Sequence, residues 1–206
     1  MQQDKTEQQI PRTICGILLA AGQSQRFGHT DKLLQPLSNG LPLITQAVRT
    51  MLTALESVMV VVPPEHDALA DALKDEAVQI TINPAADVGM GNSLACGVSA
   101  CAEADGWIIG LADMPWIQPT TISRIITALG HEQSLVAPRY QNLRGHPVGF
   151  GREYRETLIN LQGDTGARSV LKQHKAQLHY LDVSDPGILL DVDTPADLIQ
   201  QKKFNA

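Results

Sequence analysis

The sequence predicts an α/β protein, a three-layer α/β/α sandwich in which a mainly parallel sheet lies between two layers of helices. Short, nearly continuous apolar runs, which are typical of strands buried on both faces, alternate along the chain with stretches of helical periodicity. Such alternation is typical of parallel strands joined by crossover helices. No stretch rich in Pro, Gly or Ser divides the chain. We therefore expect residues 13–206 to form a single domain behind a polar, flexible lead-in at residues 1–12.

The first predicted strand, at 13–19, is an apolar run that stops shortly before Gly22. Similar runs predict strands at 57–62, 78–82, 107–111 and 134–137, and shorter runs predict strands at 147–150, 178–181 and 188–190. Helices are expected where apolar residues form one stripe at helical spacing, at 43–52, 68–73, 122–129, and near 152–161 and 165–174. An Ala-rich helix is expected to begin near residue 90. The shorter strands should extend the same sheet, with one of them antiparallel.

Composition and charge exclude several classes of protein. The 206 residues are 43% hydrophobic and 18% charged, which excludes intrinsic disorder over most of the chain. A formal net charge of −6 argues against a protein that binds the nucleic-acid backbone. No apolar run approaches the roughly 20 residues that a membrane-spanning helix needs. The three cysteines lack the spacing of a disulfide framework. We expect a cytoplasmic protein that binds neither nucleic acid nor membrane.

In a parallel α/β sheet the ligand binds beyond the carboxyl ends of the strands, so the segments that follow the strands are the informative ones. Small residues follow the first strand, and two cations, Arg26 and Lys32, come after them. Backbone amides in such a turn form a concave anion site, which the cations would complete. Neither the P-loop nor the dinucleotide-binding spacing is present. The segment is either a triphosphate-binding loop or an ordinary turn with surface cations, and the residues expected to touch the nucleotide are Leu19, Ala20, Ala21, Gly22, Arg26 and Lys32.

Carboxylates follow two other predicted strands. Asp113 comes directly after the strand at 107–111, where it is either a Mg²⁺ ligand or a cap of the next helix. Asp191 and Asp193 follow the predicted strand at 188–190, and alternation sends both side chains to the same side. The alternative interpretation of the second segment is a helix start at Thr194 and Pro195.

Two more loops belong to the same predicted edge of the sheet. Asn83 ends the third strand, and Gly91 and Ser93 lie at the start of the Ala-rich helix. Helix-start amides and a hydroxyl group bind a base edge or a ribose, although a simple helix cap has the same pattern. Arg144 and His146 lie beside a proline-fixed turn, which faces a second substrate or is a plain surface turn.

Taken together and in this order, these segments resemble the molybdenum cofactor nucleotidyltransferases. The segments are 19–28, Asp31-Lys32, Asn83-Pro84, 89–93, 112–115, 145–147 and 191–195. The resemblance implies the nucleotidyltransferase fold, with its Rossmann-like sheet. It also implies that Arg26 and Lys32 bind a nucleoside triphosphate, and that Asp113 and Asp193 hold Mg²⁺. Ala112 stands where the family usually has glycine, a change that leaves the carboxylate in place.

The Ala-Ala-Gly form of the first loop favours the cytidylyl-transferring branch of this family. The resemblance then implies transfer of CMP from CTP to the terminal phosphate of the molybdopterin cofactor, with release of pyrophosphate. Arg26, Lys32 and Asp113 would be the catalytic residues, and His146 and Asp191 would face the second substrate. A molybdoenzyme client is a further expected partner. The alternatives are a transferase that uses GTP or another small phosphorylated acceptor, and a non-catalytic nucleotide-binding or cofactor-delivery protein.

Overall fold

A computed structural model describes residues 12–22, 31–65 and 67–200, and within them a mixed sheet of eight strands lies between two layers of helices. The strands are β1 Ile14–Leu19, β2 Ser57–Val62, β3 Gln79–Ile82, β4 Gly106–Leu111, β5 Leu135–Tyr140, β6 Leu143–Arg144, β7 Val148–Gly151 and β8 Leu178–Asp182. The helices are α1 Leu43–Leu52, α2 Asp67–Leu73, α3 Met90–Ala100, α4 Pro119–Ala128, α5 Arg155–Ile159, α6 Ala167–Gln173 and α7 Pro195–Gln200. The predicted fold class is confirmed. The expected lead-in lies almost wholly outside the described residues and stays a prediction.

The sheet has the strand order β3-β2-β1-β4-β7-β5-β6, and β8 pairs with β5. The first four strands are parallel, with β1 between β2 and β4. Strand β7 is antiparallel to both β4 and β5, which confirms the expected antiparallel member. Because β7 reverses direction between them, β4 and β5 end at the same edge of the sheet. The carboxyl ends of β1, β2, β4 and β5 therefore share one edge.

Consecutive residues of the central strands pack on opposite faces of the sheet, as the apolar runs predicted. Leu18 and Ile108 join a core with α1, α2 and α4, whereas Ile17 and Ile109 join a second core with α3, α5 and α6. These four side chains are at most 2% exposed. Helices cover both faces, so polar groups can reach a ligand only at the edges of the sheet. No helix within the described residues is long and apolar enough to span a bilayer.

One predicted strand is wrong. Residues 188–190 belong mostly to a 3-10 turn, Pro186–Leu189, rather than to a strand. The carboxylate of Asp185 starts this turn by accepting a hydrogen bond from the Gly187 amide at 2.9 Å. The apolar run still marks a buried segment, since Ile188 is fully buried, but the residues before it fix a turn. The short strand β6, which pairs with β5, was not predicted.

Candidate active site

A cavity of about 500 Å³ opens beyond the carboxyl ends of β1 and β4. The strand pairing extends one residue past β1, because the Ala20 amide donates to the Val61 carbonyl at 2.9 Å. The small residues after β1 then form one wall of the cavity, as predicted. Of the residues assigned from the sequence, those that line the cavity are Leu19, Ala20, Ala21, Gly22, Lys32, Ser93 and Asp113.

Three carboxylates converge beside this cavity. One oxygen each from Asp113, Asp191 and Asp193 lies within 4.8 Å of the other two. The backbone brings the two segments together, because the Val192 amide donates to the Asp113 carbonyl at 2.9 Å. Val192 is buried. Alternation along this extended segment then directs Asp191 and Asp193 to the same side, as predicted.

The alternative interpretations of these aspartates have different outcomes. Asp113 is not the cap of α4, because the N-cap residue is Gln118. The carboxylate at this helix start is that of Asp185, which accepts hydrogen bonds from the Gln118 amide at 2.8 Å and the Thr121 hydroxyl at 2.6 Å. The helix start after Asp193 does exist, as α7. Asp197 in its first turn accepts hydrogen bonds from the amides of Asp193 and Thr194 and from the Thr194 hydroxyl. The helix start therefore positions Asp193 instead of competing with its role in the carboxylate cluster.

The ammonium group of Lys32 lies between two of the carboxylates. Its Nζ is 2.8 Å from Asp113 Oδ2 and 3.4 Å from Asp193 Oδ1. Lys32 begins a 3-10 turn that Asp31 caps, since Asp31 Oδ1 accepts a hydrogen bond from the Leu33 amide at 2.9 Å. The Lys32 side chain is only 14% exposed, so its charge is weakly screened by solvent. The lysine partly neutralises the acidic cluster in the protein alone.

The cluster has the chemistry of a divalent-cation site. Asp113 Oδ1 is buried and has no hydrogen-bond partner among the residues that the structure describes, although such an oxygen normally has one. Burial raises the pKa of Asp191, and the charges of Asp193 and Asp113 add to this effect. Carboxylates forced together in this way favour a bound cation, and oxygen atoms are the ligands that Mg²⁺ prefers. The residues present therefore fit a magnesium or manganese ion.

Three of the predicted nucleotide-binding residues lie on the α3 side. The Ser93 Oγ lines the cavity and accepts a hydrogen bond from the Asn83 side-chain amide at 3.0 Å. Asn83 is buried and also accepts a hydrogen bond from the Ala85 amide. The Gly91 amide donates to the Gly163 carbonyl at 2.7 Å. In the structure, Asn83 and Gly91 thus support the wall of the cavity, and neither of them lines it.

His146 lies behind the cluster, on the β7 side. Its amide donates to the Ile188 carbonyl at 3.0 Å, and its imidazole lies near the backbone of Ile109. Burial, reinforced by the positive charge of Arg144, lowers the pKa of His146 to about 4. The ring is therefore neutral at physiological pH, and its Nδ1 atom is buried without a hydrogen-bond partner in the described part of the chain. His146 offers an acceptor near Asp113 but does not line the cavity.

Some residues of the site were not predicted, and one predicted residue cannot be placed. Arg26 lies outside the described residues. Gly89 and Met90, at the start of α3, line the cavity, as does Asp164 from the loop before α6. The glycine-rich segment at 89–93 could have indicated the first two. Nothing in the local sequence indicated Asp164, because only the packing of its loop against α3 brings it there.

Residues 16–178 match a family described as MobA-like NTP transferase domain. The chain is 30% identical over 190 residues to nicotine blue oxidoreductase of Paenarthrobacter nicotinovorans, covering 88% of this chain and 92% of that protein. It is 25% identical over 189 residues to molybdenum cofactor cytidylyltransferase of Escherichia coli (strain K12), covering 91% and 94%. The crystal structure of Rv0371C from Mycobacterium tuberculosis H37Rv, in complex with manganese, has a TM-score of 0.77 at 25% identity, covering 91% of this chain and 97% of that one.

Proposed function

The chain is a nucleotidyltransferase of the MobA-like family, and from this premise we propose that it transfers CMP from CTP to the phosphate of a small acceptor, molybdopterin, with release of pyrophosphate. The family membership confirms the resemblance that the sequence motifs indicated. The observation that carries the proposal is the convergence of Asp113, Asp191 and Asp193 beside the cavity, with Lys32 among them.

The reaction joins two anions, so its barrier is one of charge and alignment rather than of proton transfer. A phosphate nucleophile is already ionised near neutral pH, and no general base is required. Lys32 and Arg26 are assigned to the triphosphate, where their charges offset the negative charge that gathers on the leaving pyrophosphate. The backbone at 20–22 leaves room for phosphates to approach closely, because Ala20 and Ala21 have small side chains and Gly22 has none.

Asp113 and Asp193 are assigned as the ligands of Mg²⁺, with Asp191 beside them. When bound, such an ion neutralises phosphate oxygens and aligns them for in-line displacement. The buried Oδ1 of Asp113, which has no hydrogen-bond partner among the described residues, supports this assignment, because it remains available to a cation while Oδ2 contacts Lys32. A related structure that contains manganese supports the same class of ion.

The preference for CTP is supported by the first loop. Ala21 is buried at the rim of the cavity, and its methyl group narrows the space in which a base would lie. A pyrimidine needs less space there than a purine does. Competition between CTP and GTP tests this assignment, and faster turnover of GTP would refute it.

The second substrate is assigned to the side of His146 and Asp191. His146 offers a neutral acceptor, and Asp191 lies at the exposed side of the carboxylate cluster. Molybdopterin is proposed because the relative from Escherichia coli is named a molybdenum cofactor cytidylyltransferase. A molybdoenzyme that receives the product is part of the same proposal.

A second candidate function is oxidoreduction, which the relative named nicotine blue oxidoreductase favours. A redox enzyme would use the cavity for a nucleotide-containing electron carrier and would leave the phosphoanhydride bonds intact. The three carboxylates would have no evident task in that chemistry. Oxidation of a reduced nicotinamide nucleotide without pyrophosphate release would support this candidate.

The decisive experiment measures pyrophosphate release from each nucleoside triphosphate with Mg²⁺ and molybdopterin, and identifies the product by mass. Asp113→Asn should lower the rate at least about 100-fold, because it removes the charge of one metal ligand. Asp87→Asn is the matched control, since Asp87 lines the same cavity outside the cluster. Circular dichroism checks that both variants are folded. Tight CTP binding with no pyrophosphate release under any condition would contradict the transferase and favour a delivery protein.

A further inference from the structure

Arg144 is a half-buried cation without a carboxylate partner at the carboxyl edge of the sheet. It ends β6, where it pairs in register with Arg139 of β5. Within the described part of the chain, no ion pair or hydrogen bond of its guanidinium is found. Burial lowers the pKa of Arg144, yet an arginine stays charged in proteins. A buried charge is costly unless an opposite charge compensates it, so this position favours an anionic ligand.

Arg139 provides the contrast within the same pair of strands. Its guanidinium donates to both carboxylate oxygens of Asp182, at 2.7 and 2.9 Å, and lies over the ring of Tyr180. Its charge is therefore already compensated. Arg144 differs because no carboxylate among the described residues contacts it. The charge of Tyr180 raises the pKa of Arg144, whereas the charge of Arg168 on α6 lowers it. A guanidinium without a carboxylate partner, in the field of a second cation, is suited to an anion.

The location of this pair separates it from the nucleotide cavity. The cavity lies over β1 and the start of α3, whereas β6 is on the far side of β4 in the strand order. Asp113 follows β4 and lies between the two regions. The backbone makes the connection, because the His146 amide donates to the Ile188 carbonyl at 3.0 Å and the Val192 amide, four residues further on, donates to the Asp113 carbonyl at 2.9 Å. A ligand at Arg144 would thus approach the carboxylate cluster from the side opposite the nucleotide.

We propose that Arg144 binds the phosphate group of the acceptor, with the positive charge of Arg168 contributing to the attraction. This inference rests on the proposed transferase function and identifies the phosphate subsite of its second substrate. The guanidinium fork binds a phosphate through two parallel hydrogen bonds. One acceptor oxygen then forms a bond to the α-phosphorus of the nucleotide. The bond from that phosphorus to the β-phosphate oxygen breaks, and its electron pair leaves with pyrophosphate.

Steady-state kinetics test the subsite. Arg144→Gln should raise the KM for the acceptor at least about tenfold and leave the KM for CTP unchanged. Arg139→Gln is the matched control, because it removes the same charge from the same strand pair, and it should change both constants less than about twofold. Arg168→Gln, at an exposed position, should reproduce the acceptor-specific defect even if Arg144→Gln fails to fold. An unchanged acceptor KM in Arg168→Gln and in a folded Arg144→Gln would overturn the proposal.

A binding measurement separates this inference from the proposed function. Inorganic phosphate is titrated against ¹⁵N-labelled protein saturated with Mg²⁺ and a non-hydrolysable CTP analogue, and the Arg144 Nε–Hε signal is followed. Phosphate should shift that signal saturably, whereas chloride at the same ionic strength should not. If no acceptor led to pyrophosphate release, the proposed transferase function would be refuted, but the phosphate subsite would not. Absence of a phosphate-dependent shift would refute the subsite alone.

Discussion

The imidazole of His146 is held neutral by its surroundings. Its burial and the nearby Arg144 both disfavour the protonated form, and they lower the pKa from 6.5 to about 4. The unfolded chain therefore binds a proton more readily than the folded protein does between these two pH values. The free energy of unfolding should fall as the pH decreases from about 6.5 to about 4.

This pH dependence is testable by substitution. A shift of this size corresponds to about 3 kcal/mol of stability that is lost over that range. His146→Gln keeps a side-chain donor for the backbone but cannot titrate, so its unfolding free energy should fall less between pH 7 and pH 4.5. Urea unfolding at the two pH values measures the difference. The carboxylates titrate in both proteins and lower both unfolding free energies. If the two proteins lost equal unfolding free energy between pH 7 and pH 4.5, His146 would not be the cause of the pH dependence.

Single residues also show where sequence reasoning was sufficient. The convergence of Asp113 and Asp193 could be predicted because each follows an element that ends at the carboxyl edge of the sheet, and that edge of a parallel sheet gathers such residues. The contacts of Lys32 with both aspartates could not be predicted. They depend on how the 3-10 turn after residue 31 folds back across the sheet, over sequence distances of 81 and 161 residues. Local patterns carry no information about such a distance.

The contact between α3 and the loop before α6 forms one wall of the candidate active site. The Gly91 amide donates to the Gly163 carbonyl, and the Asn92 side chain accepts from the Gly163 amide at 2.8 Å. Gly89 begins α3 with a φ of 143°, and a Cβ there would collide with the carbonyl of Gly163. Position 89 therefore tolerates only glycine, for two reasons: its backbone has a positive φ, and the loop at Gly163 comes too close to leave room for a side chain.

Gly89→Ala should destabilise the protein by about 2–4 kcal/mol, because it adds both backbone strain and a steric clash. It should also raise the KM for CTP, since Gly89 lines the cavity. Gly163→Ala is the matched control: its φ is also positive, at 63°, but its Cβ would meet no atom within 4 Å. The free energy of unfolding of Gly163→Ala should fall by only about 1–2 kcal/mol. Urea unfolding measures both values. Equal losses of unfolding free energy in the two variants would show that a Cβ at position 89 does not clash with the Gly163 carbonyl.

The helices and strands themselves were largely predictable, because buried strands and amphipathic helices each have a distinct period. The exception at 188–190 has a clear cause. An apolar run reports burial, and a 3-10 turn fixed by Asp185 buries Ile188 as completely as a strand would. The signal for the turn was the side chain of Asp185, whose partners on α4 are 64 to 67 residues away. Tertiary contacts thus decided the conformation of this segment.

Viewed across the molecule, the fold concentrates negative charge at one edge and places a lysine there as counter-ion. The protein carries a net charge of −6, and three carboxylates meet where the segments after β4 and before α7 cross. Lys32 Nζ lies 2.8 Å from Asp113 Oδ2 and 3.4 Å from Asp193 Oδ1, so it occupies the same two carboxylates that are assigned to the metal ion. A divalent cation must therefore compete with the ammonium group, and the phosphates of a bound nucleotide would offer that group other partners.

Removal of Lys32 should consequently strengthen the binding of Mg²⁺ to the nucleotide-free protein. We expect Lys32→Met to raise the Mg²⁺ affinity about tenfold, or about 1.4 kcal/mol, which is well within the roughly 4 kcal/mol by which two like unit charges 4 Å apart repel each other at an effective dielectric constant near 20. Lys172→Met, at an exposed position on α6, changes the net charge equally and should leave the affinity nearly unchanged. Isothermal titration calorimetry measures both. If the two variants bound Mg²⁺ equally well, Lys32 would have to be a permanent member of the site rather than an exchangeable counter-ion.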